Sequence, residues 1–224
     1  MKVFLSPSNQ YSNTWVVGNT NEKAQAIAFA DKLQALLQKQ GVEVVRADSV
    51  NPFKRIDHAG GCDLYIPLHT NAYNGKVRGC RLYVYKTKQN TTASLAAKNA
   101  AAMKAIQAEV NKLGMSRTVI VNYDYASWTE LNNAATAGIP AVYSEGIFHD
   151  NIEDCNWYFQ NVDALAEAYA KGICEFLGIS YSVEEPQKIY RVQVGAFMDK
   201  NNARVMVEKL RQAGFVGFVT ESVA

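Results

Sequence analysis

The sequence predicts an α/β fold, a mainly parallel sheet with helices on both faces. Short apolar runs alternate with long amphipathic stretches through residues 1–179, the order that βαβ units require. The long stretches stop at glycines, as helices do. Polar residues gather where the strands finish, at Ser6–Asn9, His69–Asn71 and Glu145–Asn151. In open α/β sheets that edge is where ligands bind.

In chain order, strands are predicted at Val3–Ser6, Val42–Arg46, Leu64–Leu68, Cys80–Tyr85 and Ala141–Glu145, with a weaker sixth at Thr118–Val121. A first helix starts near Asn21 and stops before Gly41. Its apolar positions Ala26, Ala30, Leu33 and Leu37 keep helical spacing. A second, alanine-rich, covers Ala93–Leu113 and ends at Gly114. A third spans Asp154–Leu177, with Val162, Leu165, Tyr169, Ile173 and Phe176 on one face. The composition then changes. Residues 180–188, "SYSVEEPQK", are polar and acidic and read as a linker. Residues 189–224 read as a small β–α–β unit. Val192 and Val194 alternate with Arg191 and Gln193, Asn201–Gln212 is helical, and "FVGFVT" resumes a strand after Gly214. So short a unit could hardly bury a core alone.

Composition removes several function classes. Hydrophobic residues make up 48% and charged residues 20% of the 224, which is ordinary globular usage. The net charge of +2 comes without a basic stripe, so nucleic acid is not an expected partner. No apolar stretch approaches the roughly 20 residues a bilayer span needs, so stable membrane insertion is not expected. The N-terminal "MKVFLSPSNQ" reads as a strand rather than a signal peptide, which points to a product made in the cytoplasm. The four cysteines form no CxxC pair and are expected as reduced, buried thiols.

Chemistry concentrates on four residues. His69 closes a strand and faces the ligand edge. Glu22 opens the first helix, where a carboxylate also complements the helix dipole. Glu145 directly follows a buried strand, an unusual place for a carboxylate that is neither hydrogen-bonded nor working. His149 follows four residues later. Histidine and carboxylate side chains pointing into one crevice are what a catalytic zinc requires, and a further glutamate nearby can serve as general base.

These stretches resemble one family. "NE" (Asn21, Glu22), "RIDHAGGCDLYIPLHTNAYNGKVRGCRLYVY" around His69 and "GIPAVYSEGIFHDNIED" around Glu145 are similar to motifs of the zinc-dependent N-acetylmuramoyl-L-alanine amidases (the Amidase_3 group). Those enzymes are cell-wall hydrolases of bacteria and their phages. The resemblance spans about residues 2–179. It implies a six-stranded mixed sheet, a catalytic domain at 1–179, Zn2+ as cofactor, and hydrolysis of the amide between N-acetylmuramic acid and L-alanine. Carried over by position, Glu22 and His69 are metal ligands and Glu145 is the general base. The family's remaining histidine follows strand one in a Gly-His step, where this chain reads "SPSNQ" and Asn9 aligns. His149 is expected to supply the missing imidazole. The alternatives are Asn9 holding a water or the metal through its amide, or an inactive chain that binds peptidoglycan without cutting it. Asn71 and Asn9 are the expected substrate contacts, and "VNYDYASW" (Val121–Trp128) is expected to border the groove. Acid should release the metal near the usual histidine range.

The C-terminal "YRVQVGAF…NARVMVEKLRQAGF" resembles the first half of a SPOR repeat, a module that binds glycan strands. A half-repeat is expected to complete its sheet with a second copy, giving a homodimer. Action at the cell wall would follow either release through a phage holin or lysis of a sporulating mother cell.

Overall fold

The computed structural model describes residues 1–115, 119–182 and 192–221. The chain forms two compact units, residues 1–182 and 183–224. In the first, six strands make one sheet in the order β2-β1-β3-β6-β4-β5: β1 (Lys2–Pro7), β2 (Glu43–Val45), β3 (Leu64–Asn71), β4 (Arg81–Val84), β5 (Ile120–Tyr123) and β6 (Tyr143–Phe148). Every neighbouring pair is parallel except β4 with β6, so the sheet is mixed.

Side chains alternate along each strand, and here both faces are covered. Val3, Leu5, Leu64, Ile66, Leu68, Leu82 and Val84 pack under α1 (Glu22–Lys39), α2 (Ala93–Asn111) and α4 (Ile152–Leu177). Phe4, Tyr65, Tyr83, Tyr85 and Tyr143 pack on the other face, under α3 (Thr129–Thr136) and the 3₁₀ helix Pro52–His58. Each long helix is capped. Asn21 accepts from Ala24 N–H, Thr92 from Leu95 N–H, and Asn151 from the N–H groups of Glu153 and Asp154. Helix α4 stops at Gly178 in the left-handed region, φ 71°. It also lies so close to α2 that a Cβ at Gly172 would sit 2.5 Å from Ile106 Cα.

The structure departs from the sequence reading in several places. β3 runs three residues further than predicted, to Asn71, and β6 starts and ends later, at Tyr143–Phe148. Thr118, in the weak sixth strand, lies outside the described residues, and the strand found there is Ile120–Tyr123. Helix α3 has no counterpart in the reading. Most of the expected linker, from residue 183 on, is outside the described residues, as is Arg191. In the second unit α5 (Lys200–Gln212) forms behind an Asp199 cap. The strands expected at Val192–Val194 and Phe215–Thr220 form no ladder among the described residues. Two short segments offer too little surface to fix a pairing unaided. All four cysteines are buried and unpaired. No described helix is long and apolar enough to cross a membrane.

Candidate active site

The site stands at the carboxyl edge of the sheet, where β3 and β6 end side by side. Alternation on β3 places Tyr65, Pro67 and His69 on the α3 face. Parallel register pairs His69 with Glu145 of β6, so both side chains leave the sheet on the same side. A register shift follows between His69 and Asn71 and re-aims the end of the strand.

Glu22 reaches this edge from the first residue of α1. A carboxylate in a first helical turn normally faces water. This one is 1% exposed. Its Oε1 lies 2.9 Å from His69 Nδ1 and accepts from Thr70 N–H at 3.4 Å, while Oε2 accepts from Asn13 Nδ2 at 2.7 Å. Burial pushes the Glu22 carboxyl up, but the bonds from His69 and Asn13 outweigh it and hold the group below its ordinary value.

On the far side of the imidazole, His69 Nε2 is 3.2 Å from Glu130 Oε2, and Glu130 projects from α3. The other Glu130 oxygen accepts from Tyr65 OH at 2.9 Å and from Ser6 Oγ. Ser6 Oγ in turn accepts from Arg55 Nη1 at 3.0 Å. The ring of Tyr143 stacks on His69, centroids 4.6 Å apart and planes 18° apart. Burial lowers the His69 pKa. The bonds to Glu130 and Glu22, with the charges of Glu145 and Glu130, more than reverse that and raise it to about 10.

Glu145 completes the cluster. Its Oε2 is buried without a hydrogen-bond partner among the described residues. Burial and the nearby charge of Glu22, set against the attraction of His69, raise its pKa to about 8. A buried carboxylate oxygen left free, beside a carboxylate–imidazole pair, is placed to take up a proton.

Three of the predicted residues therefore meet: Glu22, His69 and Glu145. His149 does not join them. It is buried with its Nδ1 2.9 Å from Thr70 Oγ1. Thr70 follows His69 on the strand and so turns to the opposite face. The expectation of His149 as third ligand assumed an unbroken extended strand beyond Glu145, and no described hydrogen bond joins its ring to Glu22, His69 or Glu145. Asn9 is exposed, and no described hydrogen bond ties it to the cluster. Its neighbour Gln10 is the residue that arrives, with Nε2 3.3 Å from His69 Nδ1 and Oε1 accepting from Asn13 Nδ2 at 2.8 Å. Asn71 ends β3, its Oδ1 bound to Ala72 N–H at 2.8 Å and its carbonyl to His149 N–H at 2.8 Å. Trp128 and Tyr125 both flank Tyr83, at 4.4 and 5.6 Å between centroids.

Glu130 was missed because α3 was missed. Eight residues with two asparagines and an uncapped start carry a weak helical signal. The available clues were the spacing of Leu131, Ala134 and Ala135, and Gly138 as a stop, φ 70°.

The donor chemistry fits a divalent cation in part. A carboxylate oxygen and an imidazole nitrogen converge on one point, and the far nitrogen is engaged by an outer carboxylate, as ligating histidines usually are. The next side chain to reach His69 Nδ1 is the neutral amide of Gln10. Among the described residues no three His, Cys, Asp or Glu side chains form a metal-holding group.

Solved structures of similar fold include amidase catalytic domains. An N-acetylmuramoyl-L-alanine amidase from Clostridium difficile 630 superposes with a TM-score of 0.66 at 19% identity, covering 79% of this chain and 96% of that one. The catalytic domain of CwlV from Bacillus (Paenibacillus) polymyxa var. colistinus gives 0.64 at 17% identity, over 80% and 99%. That of the CD27L endolysin targeting Clostridia difficile gives 0.62 at 20%, over 78% and 97%. Residues 6–175 match the N-acetylmuramoyl-L-alanine amidase family profile, and the chain belongs to that family. A sporulation-specific N-acetylmuramoyl-L-alanine amidase of Bacillus subtilis strain 168 is 23% identical over 98% of this chain and 84% of its own length. Residues 164–223 match the SPOR domain profile. Residues 164–175 fall in both matches, and the structure builds them into α4 of the first unit.

Proposed function

We propose that the chain hydrolyses the amide joining the lactyl group of N-acetylmuramic acid to L-alanine in peptidoglycan, with Zn2+ held by Glu22 and His69 and Glu145 as general base. One observation carries this reading. A Glu22–His69 contact of 2.9 Å lies beside a register partner, Glu145, whose buried Oε2 has no hydrogen-bond partner among the described residues. A metal held by Glu22 and His69 would supply Lewis acidity to the scissile carbonyl and to the attacking water. Glu145 accepts the proton of that water and returns it to the leaving nitrogen. Glu22 and His69 would hold the metal beside Glu145, and Asn71, at the end of β3, is the proposed contact to substrate. Action at the cell wall, with the SPOR-like segment holding glycan, accords with this chemistry.

The neutral amide at Gln10 favours a second reading, a chain that grips peptidoglycan without cutting it. Metal analysis and digestion of purified cell wall separate the two. The expected result is about one zinc per chain and new N-terminal alanine in the digest. Glu145→Gln should keep the zinc and lose on the order of 10²–10⁴-fold in rate, the usual worth of a general base. A Glu145→Gln protein as active as wild type would remove the mechanism.

A further inference from the structure

We infer that Glu130 is the positioning residue of this site, holding the His69 ring so that Nδ1 alone is presented to Glu22 and to the metal. This rests on the zinc reading above and deepens it.

An imidazole can offer a lone pair from either nitrogen, and the hydrogen bond made by one nitrogen decides which. Nothing on β3 itself settles the matter for His69. Glu130 does. A carboxylate accepts and does not donate, so its contact at 3.2 Å requires a proton on Nε2. Glu22, 2.9 Å from Nδ1, likewise calls for a proton there in the metal-free chain; a metal held with Glu22 would displace that proton, and Glu130 would keep the one on Nε2. Loss of the Nε2 proton instead would aim a lone pair at the Glu130 carboxylate with no cation between them.

Glu130 is itself held. It is 5% exposed and takes hydrogen bonds from Tyr65 OH and Ser6 Oγ. Behind Ser6 stands Arg55, buried at 1% exposure, which donates to Ser6 Oγ, to the carbonyls of Pro7 and Ala47, and to those of Val50 and Asp48. A fully buried arginine is costly unless paired. Here its role is to set the direction of the Ser6 hydroxyl: Ser6 accepts from Arg55 and so donates to Glu130. The stack Arg55–Ser6–Glu130–His69 links the 3₁₀ helix, β1, α3 and β3 in one line. Tyr143 closes the flat side of the ring at 4.6 Å. Outer-sphere partners of this kind typically govern about 10–100-fold in metal affinity.

The test uses the full chain, wild type, Glu130→Gln and Glu130→Ala, each checked for native circular dichroism. Zinc affinity is measured by chelator competition, and the histidine ring nitrogens are followed by proton–nitrogen NMR with and without zinc. In wild type the His69 Nε2 proton should be slow to exchange even without metal. In Glu130→Ala it should become fast, and zinc affinity should fall about 10–100-fold. Glu130→Gln keeps an acceptor and should recover part of both. If the alanine variant fails to fold, Ser6→Ala and Glu130→Gln carry the comparison, each expected to lie between wild type and the full loss. A fast-exchanging Nε2 proton in wild type, or wild-type zinc affinity in a folded Glu130→Ala, overturns the assignment. A protected Nε2 proton in a chain that binds no zinc leaves Glu130 in its role and removes the metal reading instead.

Discussion

Glu145 and His69 are both held more readily protonated in the fold than in a free chain, at about 8 and about 10 against ordinary values of 4.5 and 6.5. The sign follows directly. A raised folded-state pKa contributes stability that is complete below the unfolded value and is lost as pH rises through the folded one. Metal-free protein should therefore lose stability between about pH 5 and 8 through Glu145, and on towards pH 10 through His69. Urea titrations at pH 5, 7 and 9 should show this, and Glu145→Gln should flatten the lower part. Zinc binding displaces the His69 proton, so affinity should climb about tenfold per pH unit over the neutral range. The competition extends well above the ordinary histidine range, because two carboxylates hold that proton. Gln10 gives a further outcome at this scale. Gln10→His replaces a neutral amide with a preferred zinc ligand and should tighten binding by tenfold or more. Asn9→His, one residue away and exposed, should change it little; chelator competition distinguishes them. Glu22, His69 and Glu145 were legible in sequence because strand ends and helix starts fix where a side chain can go. His149 was not. Its ring bonds Thr70, past a register shift between His69 and Asn71, and such shifts leave no clear mark in the residues.

At the scale of elements, the strands and the three long helices of the first unit were readable from periodicity and glycine stops. Their boundaries moved by two or three residues where tertiary pairing outlasted the apolar run. Helix α3 was unreadable because it is short and polar, yet it delivers Glu130, so the part of the site hardest to foresee depends on the weakest helix. The α2–α4 packing is the clearest case of sequence set by shape. Gly172 meets the backbone of Ile106, with Ile106 Cα and N at 2.5 and 2.7 Å from where a Cβ would stand. Backbone cannot step aside as a side chain can. Gly172→Ala should therefore cost roughly 1–3 kcal/mol, the usual range for overpacking, even though alanine favours helix. Chemical denaturation would read it, and unchanged stability would mean that the two helices separate more easily than their packing indicates.

For the whole molecule, the second unit tests an idea of assembly. Its helix forms, and its flanking segments make no ladder among the described residues. Light scattering should give a dimer for the full chain and a monomer for a chain ending at Ile179. Equal monomer masses for both would rule out the pairing. The first unit folds without a covalent staple. Its thiols lie inside the core, and burial raises the pKa of Cys62, Cys80, Cys155 and Cys174 alike. Thiolate, the form that oxidants attack, is scarce at all four. A fold held by such a core has no disulfide to be reduced and little thiolate to be oxidised, so its stability does not hang on the redox potential around it.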